Sequence, residues 1–199
     1  MRYFIGFLVT IGLIIILIVL LLSGGGGGNN KNNNTQSQNS QIQTPTSTQQ
    51  LADFASSGAV VRLTIDGQIN ADQDHQAVRI TVGQDETTYQ QVQGYQGNVV
   101  NQQSFANNQS AYSNFLYALG HAGFTMGDTA KDAANEKGYC PLGERYTYEL
   151  IDGGDTIMRW WSASCGNVPK TYKGNPSLTI TLFQNQVPGY DSLTNDLSL

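Results

Sequence analysis

Hydrophobic residues fill positions 3–22 almost without interruption, and the pattern changes completely after them. About 20 residues rising about 1.5 Å each form a helix of about 30 Å, the thickness of the hydrocarbon core of a bilayer. Arg2 is the only charged residue before this stretch, so the positive-inside rule leaves the N-terminus in the cytoplasm. We therefore predict a transmembrane anchor at 1–23, contacting the membrane through residues 3–22, in a single-pass plasma-membrane protein whose C-terminal part is outside.

Processing of the anchor has two other interpretations. Ser23 and Gly25 are small enough to permit cleavage after a signal peptide, and the sequence leaves that possibility open. Residues 22–24 also resemble the start of a lipoprotein signal, but Gly25 stands where the lipidated cysteine would be. Lipidation is therefore excluded.

Residues 24–50 are almost entirely Gly, Asn, Gln, Ser and Thr. Such a composition cannot bury an apolar core, so we predict a disordered linker. It would act either as a simple spacer or as a tether that reaches through a cell wall.

Between residues 51 and 190, apolar residues recur with period two in some segments and with period three to four in others. Period two is typical of half-buried strands, and the longer period of amphipathic helices. The segments that predict strands are 59–66, 76–82, two short runs within 87–105, 145–151 and 156–162. The clearest helix begins after Asn107 or Asn108 and ends at Gly123. We predict an exported α+β domain at 51–190, an antiparallel sheet with helices packed on one face, followed by a C-terminal tail at 191–199.

Residues 176–187 fit two structures. Asn175 followed by Pro176 is typical of a helix start, because Asn caps the helix and proline suits its first position. Leu178, Ile180 and Leu182 alternate as in a strand. We favour the helix.

The segment from Cys140 to Cys165 contains both tryptophans and a Gly153-Gly154 pair that suits a two-residue hairpin turn. A hairpin closed by this turn predicts three cross-strand pairs on one face: Leu150 with Ile157, Tyr148 with Arg159, and Tyr146 with Trp161. The same register brings Cys140 and Cys165 together. They are the only cysteines, and an exported domain predicts a disulfide between them. Two buried free thiols, which suit a reducing cytosol, are the alternative.

Charge and motifs exclude several classes of function. The net charge is −5 and no basic run occurs, so nucleic acid and anionic lipid surfaces are not expected partners. The loop starting at Asn70 lacks the glycine and glutamate of a calcium-binding EF-hand, since His75 and Thr81 occupy those positions. No Cys or carboxylate lies at metal-ligand spacing from His75 or His121, and nucleophile motifs are absent. We predict no catalytic residues, metal or cofactor.

The prediction that remains is a non-enzymatic binding or interaction domain at the outer surface of a bacterial cell. Its partner would be a protein or carbohydrate. The tyrosine-rich, weakly charged segment from Tyr89 to Tyr95 is the candidate contact surface, and a solvated loop is the simpler interpretation of the same residues.

A second hypothesis comes from a family resemblance. Cys140-Pro141-Leu142, followed by a strand, a turn, a Trp-containing strand and Cys165, resembles the reactive-site segment of subtilisin-inhibitor-like proteins. The strands at 60–65 and 77–82 and the helix after them also resemble that family. The resemblance implies a serine-protease inhibitor that presents the Leu142–Gly143 bond, with Leu142 in the protease pocket. A loop held rigid by a disulfide loses little entropy on binding.

Overall fold

The structure, a computed structural model, describes residues 48–128 and 135–199. Its six strands are β1 (Val60–Asp66), β2 (Gln76–Val82), β3 (Glu86–Gln93), β4 (Asn98–Ala106), β5 (Arg145–Asp152) and β6 (Asp155–Ala163). Its helices are α1 (Thr48–Asp53), α2 (Gln109–His121), α3 (Pro176–Gln184) and α4 (Tyr190–Thr194), with a 3₁₀ turn at Phe54–Ser56 after α1. The strands form one antiparallel sheet in the order β4-β3-β2-β1-β5-β6. The predicted α+β class is confirmed.

One face of the sheet carries the apolar half of each alternating pattern, which we call the core face. Leu63 on β1 and Ile80 on β2 are directly paired there and are both fully buried. Helix residues complete the same cluster, and Phe115 of α2 meets Phe183 of α3 edge to face with ring centroids 5.2 Å apart. The Tyr112 hydroxyl donates to the Ala59 carbonyl at 2.7 Å, so this buried polar group is satisfied.

Helix starts follow the predicted capping residues. The Asn108 side chain accepts a hydrogen bond from the Ala111 amide at 3.0 Å at the start of α2. Asn175 accepts one from the Leu178 amide at 3.1 Å at the start of α3. The segment Pro176–Gln184, whose pattern fits either a helix or a strand, therefore forms helix α3. The capping Asn175 and the proline at the first helical position both favour a helix, as does the periodicity of three to four.

The predicted register of the β5–β6 hairpin is wrong by one residue. A bulge between Leu150 and Ile151 leaves Ile157 without a partner in the ladder. Leu150 is therefore opposite Met158, and Tyr148 is opposite Trp160 rather than Arg159. The bulge sends Trp160 to the core face and Arg159 to the opposite face, because side chains alternate along a strand.

Regular structure is also present on either side of residues 51–190. Helix α1 begins at Thr48, inside the predicted linker. Helix α4 begins at Tyr190 and continues into the predicted tail, whose Leu193, Leu197 and Leu199 pack against the core. The rest of the linker and the predicted transmembrane anchor lie outside the described residues. Within 48–128 and 135–199, no helix combines the length and apolar character needed to cross a membrane.

Candidate ligand-binding groove

The second face of the sheet, which we call the open face, is polar and forms the floor of a groove of about 640 Å³. The β3–β4 turn with Tyr95 borders it on one side, and residues 136–138 border it on another. Five cationic and three acidic side chains line it: Arg62, Arg79, Lys137, Arg145, Arg159, Asp66, Glu136 and Glu149. Every arginine of the chain except Arg2 is in this set.

Strand pairing brings these distant residues together. Arg62 of β1 is opposite Glu149 of β5, which is in turn opposite Arg159 of β6. On the other side of β1, Arg79 of β2 is opposite Thr64 and so lies diagonally from Arg62. The sequence shows no basic run, but the tertiary structure forms a cationic cluster on a chain with a net charge of −5.

Arg145 is held in place by its surroundings. It is 2% exposed, and its Nε donates to the Asp66 carboxylate at 2.9 Å. Its guanidinium also donates to the carbonyl oxygens of Gly67 and Cys140. A buried guanidinium with this many acceptors has little capacity left for a ligand. Arg145 therefore has a structural role.

His75 extends the same network. Its Nε2 lies 2.8 Å from Asp66 Oδ1, and its Nδ1 lies 3.0 Å from the Gln68 carbonyl oxygen. Both nitrogens face oxygen acceptors, and the tautomer of the ring decides which nitrogen donates. The ring also stacks on Tyr95 at a centroid distance of 4.0 Å. Asp66 thus joins Arg145 to the histidine that supports the rim of the groove.

Arg159 is also paired. Its Nη2 lies 2.7 Å from both carboxylate oxygens of Glu136, which fixes the 136–138 segment beside the sheet. Glu149 lies 3.8 Å from Arg159 and 3.8 Å from Arg62, so one carboxylate is shared by two guanidiniums.

Among the four arginines of the groove, Arg62 and Arg79 make the fewest side-chain hydrogen bonds. Arg62 Nε donates to Thr81 Oγ1 at 3.1 Å, and Arg79 Nη1 donates to Gln90 Oε1 at 3.3 Å. Among the described residues, Arg79 has no carboxylate at ion-pair distance. Burial lowers the pKa of Arg79, the neighbouring Arg62 lowers it further, and Glu149 opposes this change. Within the described part of the chain, only Arg62 of these two neighbouring arginines has a carboxylate at ion-pair distance, that of Glu149 at 3.8 Å. Guanidiniums with unpaired N–H groups are the donors that carboxylate and phosphate ligands use in proteins.

The predicted disulfide between Cys140 and Cys165 is confirmed. Cys140 has φ of 50°, a left-handed conformation that is unusual for a residue with a Cβ. The disulfide and the Arg145 bond to its carbonyl hold it there. Leu142 beside it is 83% exposed, and the Gly143 amide donates to the Cys140 carbonyl at 3.2 Å, closing a turn. A Cβ on Gly143 would lie 2.8 Å from Cys140 Sγ, so only glycine fits.

The two tyrosines predicted to form a contact surface lie on opposite faces of the sheet. Tyr89 is fully buried in the core, where its hydroxyl donates to the Leu193 carbonyl at 3.1 Å. This position corrects the prediction for Tyr89, which has no exposed surface to offer a partner. Tyr95 is 52% exposed at the rim of the groove.

Sequence reasoning missed the arginine cluster. Arg62 and Arg79 each occupy the polar position between two apolar residues of an alternating strand, so their strands were recognised but their proximity was not. The sequence signal that could have found them is the adjacency of the first two strands, since sequential strands usually pair. No comparable feature of the sequence indicates that β1 pairs with β5, because the two strands are far apart in the chain.

Among residues 48–128 and 135–199, no group of three or more His, Cys, Asp or Glu side chains could hold a metal ion. No protein-family model matches this chain, and no curated protein matches it in sequence. The groove and the Leu142 turn are the two surface features that suggest a function.

Proposed function

We propose that this protein is a non-enzymatic binding module, anchored in the plasma membrane through residues 3–22, which holds an extracytoplasmic protein or carbohydrate ligand in the open-face groove. The observation that carries the proposal is the convergence of Arg62, Arg79, Arg145 and Arg159 on one polar face. Arg145 is bonded through all three of its nitrogens, and Arg159 is paired with Glu136. Arg62 and Arg79 each make one side-chain hydrogen bond and retain donors. The groove thus combines a rigid frame with free hydrogen-bonding capacity, as ligand sites generally do.

The test uses the full-length protein purified in detergent and screened against immobilised glycans and defined extracytoplasmic proteins. The double variant Arg62→Gln/Arg79→Gln removes the unused donors, and Lys170→Gln removes one positive charge outside the groove. We expect a ligand whose binding is lost in the double variant and kept in the control. Binding that is unchanged in the double variant as well as in the control, or the absence of any binding, would contradict the groove as the binding site.

The predicted location has an independent test. Protease added to intact cells should digest the domain and leave the N-terminus protected, because the anchor prediction places only the N-terminus in the cytoplasm. Digestion that requires permeabilised cells would contradict an exported domain.

Serine-protease inhibition through Leu142 and Gly143 is the second candidate function. The observation that favours it is the 83% exposure of Leu142 on a turn held next to a disulfide. The full-length protein should inhibit a protease that prefers large apolar residues, and Leu142→Gly should abolish this. Arg79→Gln is the control, since it lies in the groove and should leave inhibition intact. Absence of inhibition across a panel of such proteases would remove this candidate.

A further inference from the structure

The side chains of the groove also indicate which class of ligand it binds, an inference that rests on the proposed function. Its centre is the diagonal pair Arg62 and Arg79, whose strands are directly hydrogen-bonded to each other. Diagonal residues on neighbouring antiparallel strands lie about 7–8 Å apart at their Cα atoms, within reach of one shared ligand group for long side chains. A single planar carboxylate can accept from two guanidinium forks and relieve the repulsion between them.

Arg79 also lies beside the aromatic rim. A Cβ on Gly97 would be 4.0 Å from Arg79 Nη2, which places the guanidinium next to the β3–β4 turn. This turn is closed by a hydrogen bond from the Gly97 amide to the Gly94 carbonyl at 3.1 Å, and it carries Tyr95. Arg79 and Tyr95 therefore line the same groove beside one turn.

Tyr95 is fixed rather than mobile at this rim. Its hydroxyl donates to the Asn70 carbonyl at 3.0 Å and its amide donates to Asp72 Oδ1 at 2.8 Å. His75 covers one face of the ring by stacking. With 52% of the residue exposed, an aromatic ring of fixed orientation remains available for a flat apolar surface, such as one face of a sugar ring.

The rest of the groove is lined by polar and apolar side chains together. Thr64 and Thr147 belong to its floor, and Ile69, Ala77 and Val92 line other parts of it. A sugar ring suits such a lining because it carries both hydroxyl groups and apolar C–H faces. Hydroxyl groups pair with threonine and with the remaining N–H groups of arginine.

We propose that the groove binds an acidic sugar, with the sugar carboxylate between the guanidiniums of Arg62 and Arg79 and the sugar ring against Tyr95. The ligand class is thus a uronic acid within a polysaccharide. Asp66, Glu136 and Glu149 do not repel it strongly, because each is already paired with an arginine.

The experiment measures binding of the full-length protein in detergent to an oligogalacturonate, to its methyl ester and to an oligoglutamate peptide. The ester keeps the sugar rings and loses the charge, and the peptide keeps the carboxylates and loses the rings. We expect the oligogalacturonate to bind at least about tenfold more tightly than either control. Salt should weaken it, since the contact is ionic and partly exposed.

Substitutions in the groove identify which side chains contact the sugar. Arg79→Gln should weaken oligogalacturonate binding about tenfold or more, and Arg79→Lys should restore part of it by returning the charge without the fork. Tyr95→Leu should weaken binding of the sugar and leave binding of the peptide unchanged. Lys170→Gln is the control for charge, and an unchanged melting temperature shows that each variant is folded.

The outcomes separate this inference from the proposed function. Equal binding of peptide and sugar, independent of Tyr95, would overturn the sugar assignment. Failure to bind oligogalacturonate, while another ligand binds and depends on Arg62 and Arg79, would overturn this inference and leave the binding function standing. If no ligand depends on the two arginines, both are wrong.

Discussion

The two faces of the sheet consist of alternate residues of the same strands, and they differ in what determines them. On β1 the core face carries Val61, Leu63 and Ile65, all buried. The open face carries Arg62, Thr64 and Asp66 from the same seven-residue strand. A position on the core face requires an apolar residue because it is buried. On the open face, the residue type depends on the particular groups that the side chain contacts.

Because of this difference, the core face can be predicted from the sequence more completely than the open face. Any large apolar residue at a core-face position contributes to the same cluster, since apolar contacts are not directional. An arginine on the open face acts only through the particular groups it meets. Arg145 is locked to Asp66, while Arg79, two strands away, keeps unused donors. Two arginines on the same face, Arg145 and Arg79, therefore have different roles.

The largest expected effect is alkaline unfolding from the core face. Burial raises the pKa of Tyr172 to about 12 and raises the pKa values of Tyr112 and Tyr148 as well. In the unfolded chain tyrosine ionises near pH 10, so above that pH the unfolded state releases protons first and stability falls. We expect full stability below about pH 10 and cooperative loss of structure as the pH rises through about 12. The tyrosinate absorbance of the buried rings should appear together with the change in circular dichroism. Ionisation of all tyrosines near pH 10 with structure retained would contradict their burial.

A matched pair on β1 separates the faces directly. Leu63→Ala should lower the free energy of unfolding by about 2–5 kcal/mol, because it leaves a cavity in the core. Its neighbour Thr64→Ala, on the open face, should change it by no more than about 0.5 kcal/mol. Denaturant titration measures both. Similar losses at the two positions would show that the open face is packed like a core.

The disulfide lies at the end of the sheet, where the groove network and the Leu142 turn meet. Reduction should destabilise the protein by about 3 kcal/mol, because the bond closes a loop between residues 25 apart in sequence. Thermal unfolding with and without reductant measures the change. The double variant Cys140→Ser/Cys165→Ser is the control and should not respond to reductant. An equal response in that variant would assign the effect to something other than the bond.

The smallest of these effects concerns a glycine on the core side. A Cβ on Gly127 would lie 2.1 Å from Trp160 Cδ2, so Gly127→Ala must displace a buried ring. We expect a loss of about 1–3 kcal/mol. Gly166→Ala is matched to it, since no atom lies within 4 Å of its added Cβ, and it should leave stability almost unchanged. Chemical denaturation of both variants gives the comparison, and equal stabilities would contradict the close packing of Trp160.

Local patterns predicted most of the elements because each depends on neighbours in the chain. The caps at Asn108 and Asn175 act on amides three residues away, so they are visible in sequence. The hairpin register is different. Gly153 and Gly154 fixed the turn, but the bulge that displaces Ile157 depends on the fit of Trp160 and Met158 into a core formed by other strands. No residue near the turn indicates it.

The arginine cluster was beyond sequence reasoning for the same reason. Arg62 and Arg159 are far apart in the chain and become near neighbours only because β5 pairs with β1, across the whole β2–β4 meander and α2. Tyr89 and Tyr95 show the reverse case. They are close in sequence and lie on opposite faces, because strand alternation and the β3–β4 turn separate them.

The sequence by itself determined the antiparallel strands, the capped helices and the α+β class, since each follows from periodicity or local hydrogen bonding. Its two cysteines allowed either a disulfide or two free thiols, and the structure joins them. Tertiary structure alone decided the hairpin bulge, the burial of Tyr89 and the gathering of four arginines in one groove. Those features depend on which strands become neighbours, and that choice is made by the free energy of the whole core rather than by any one segment.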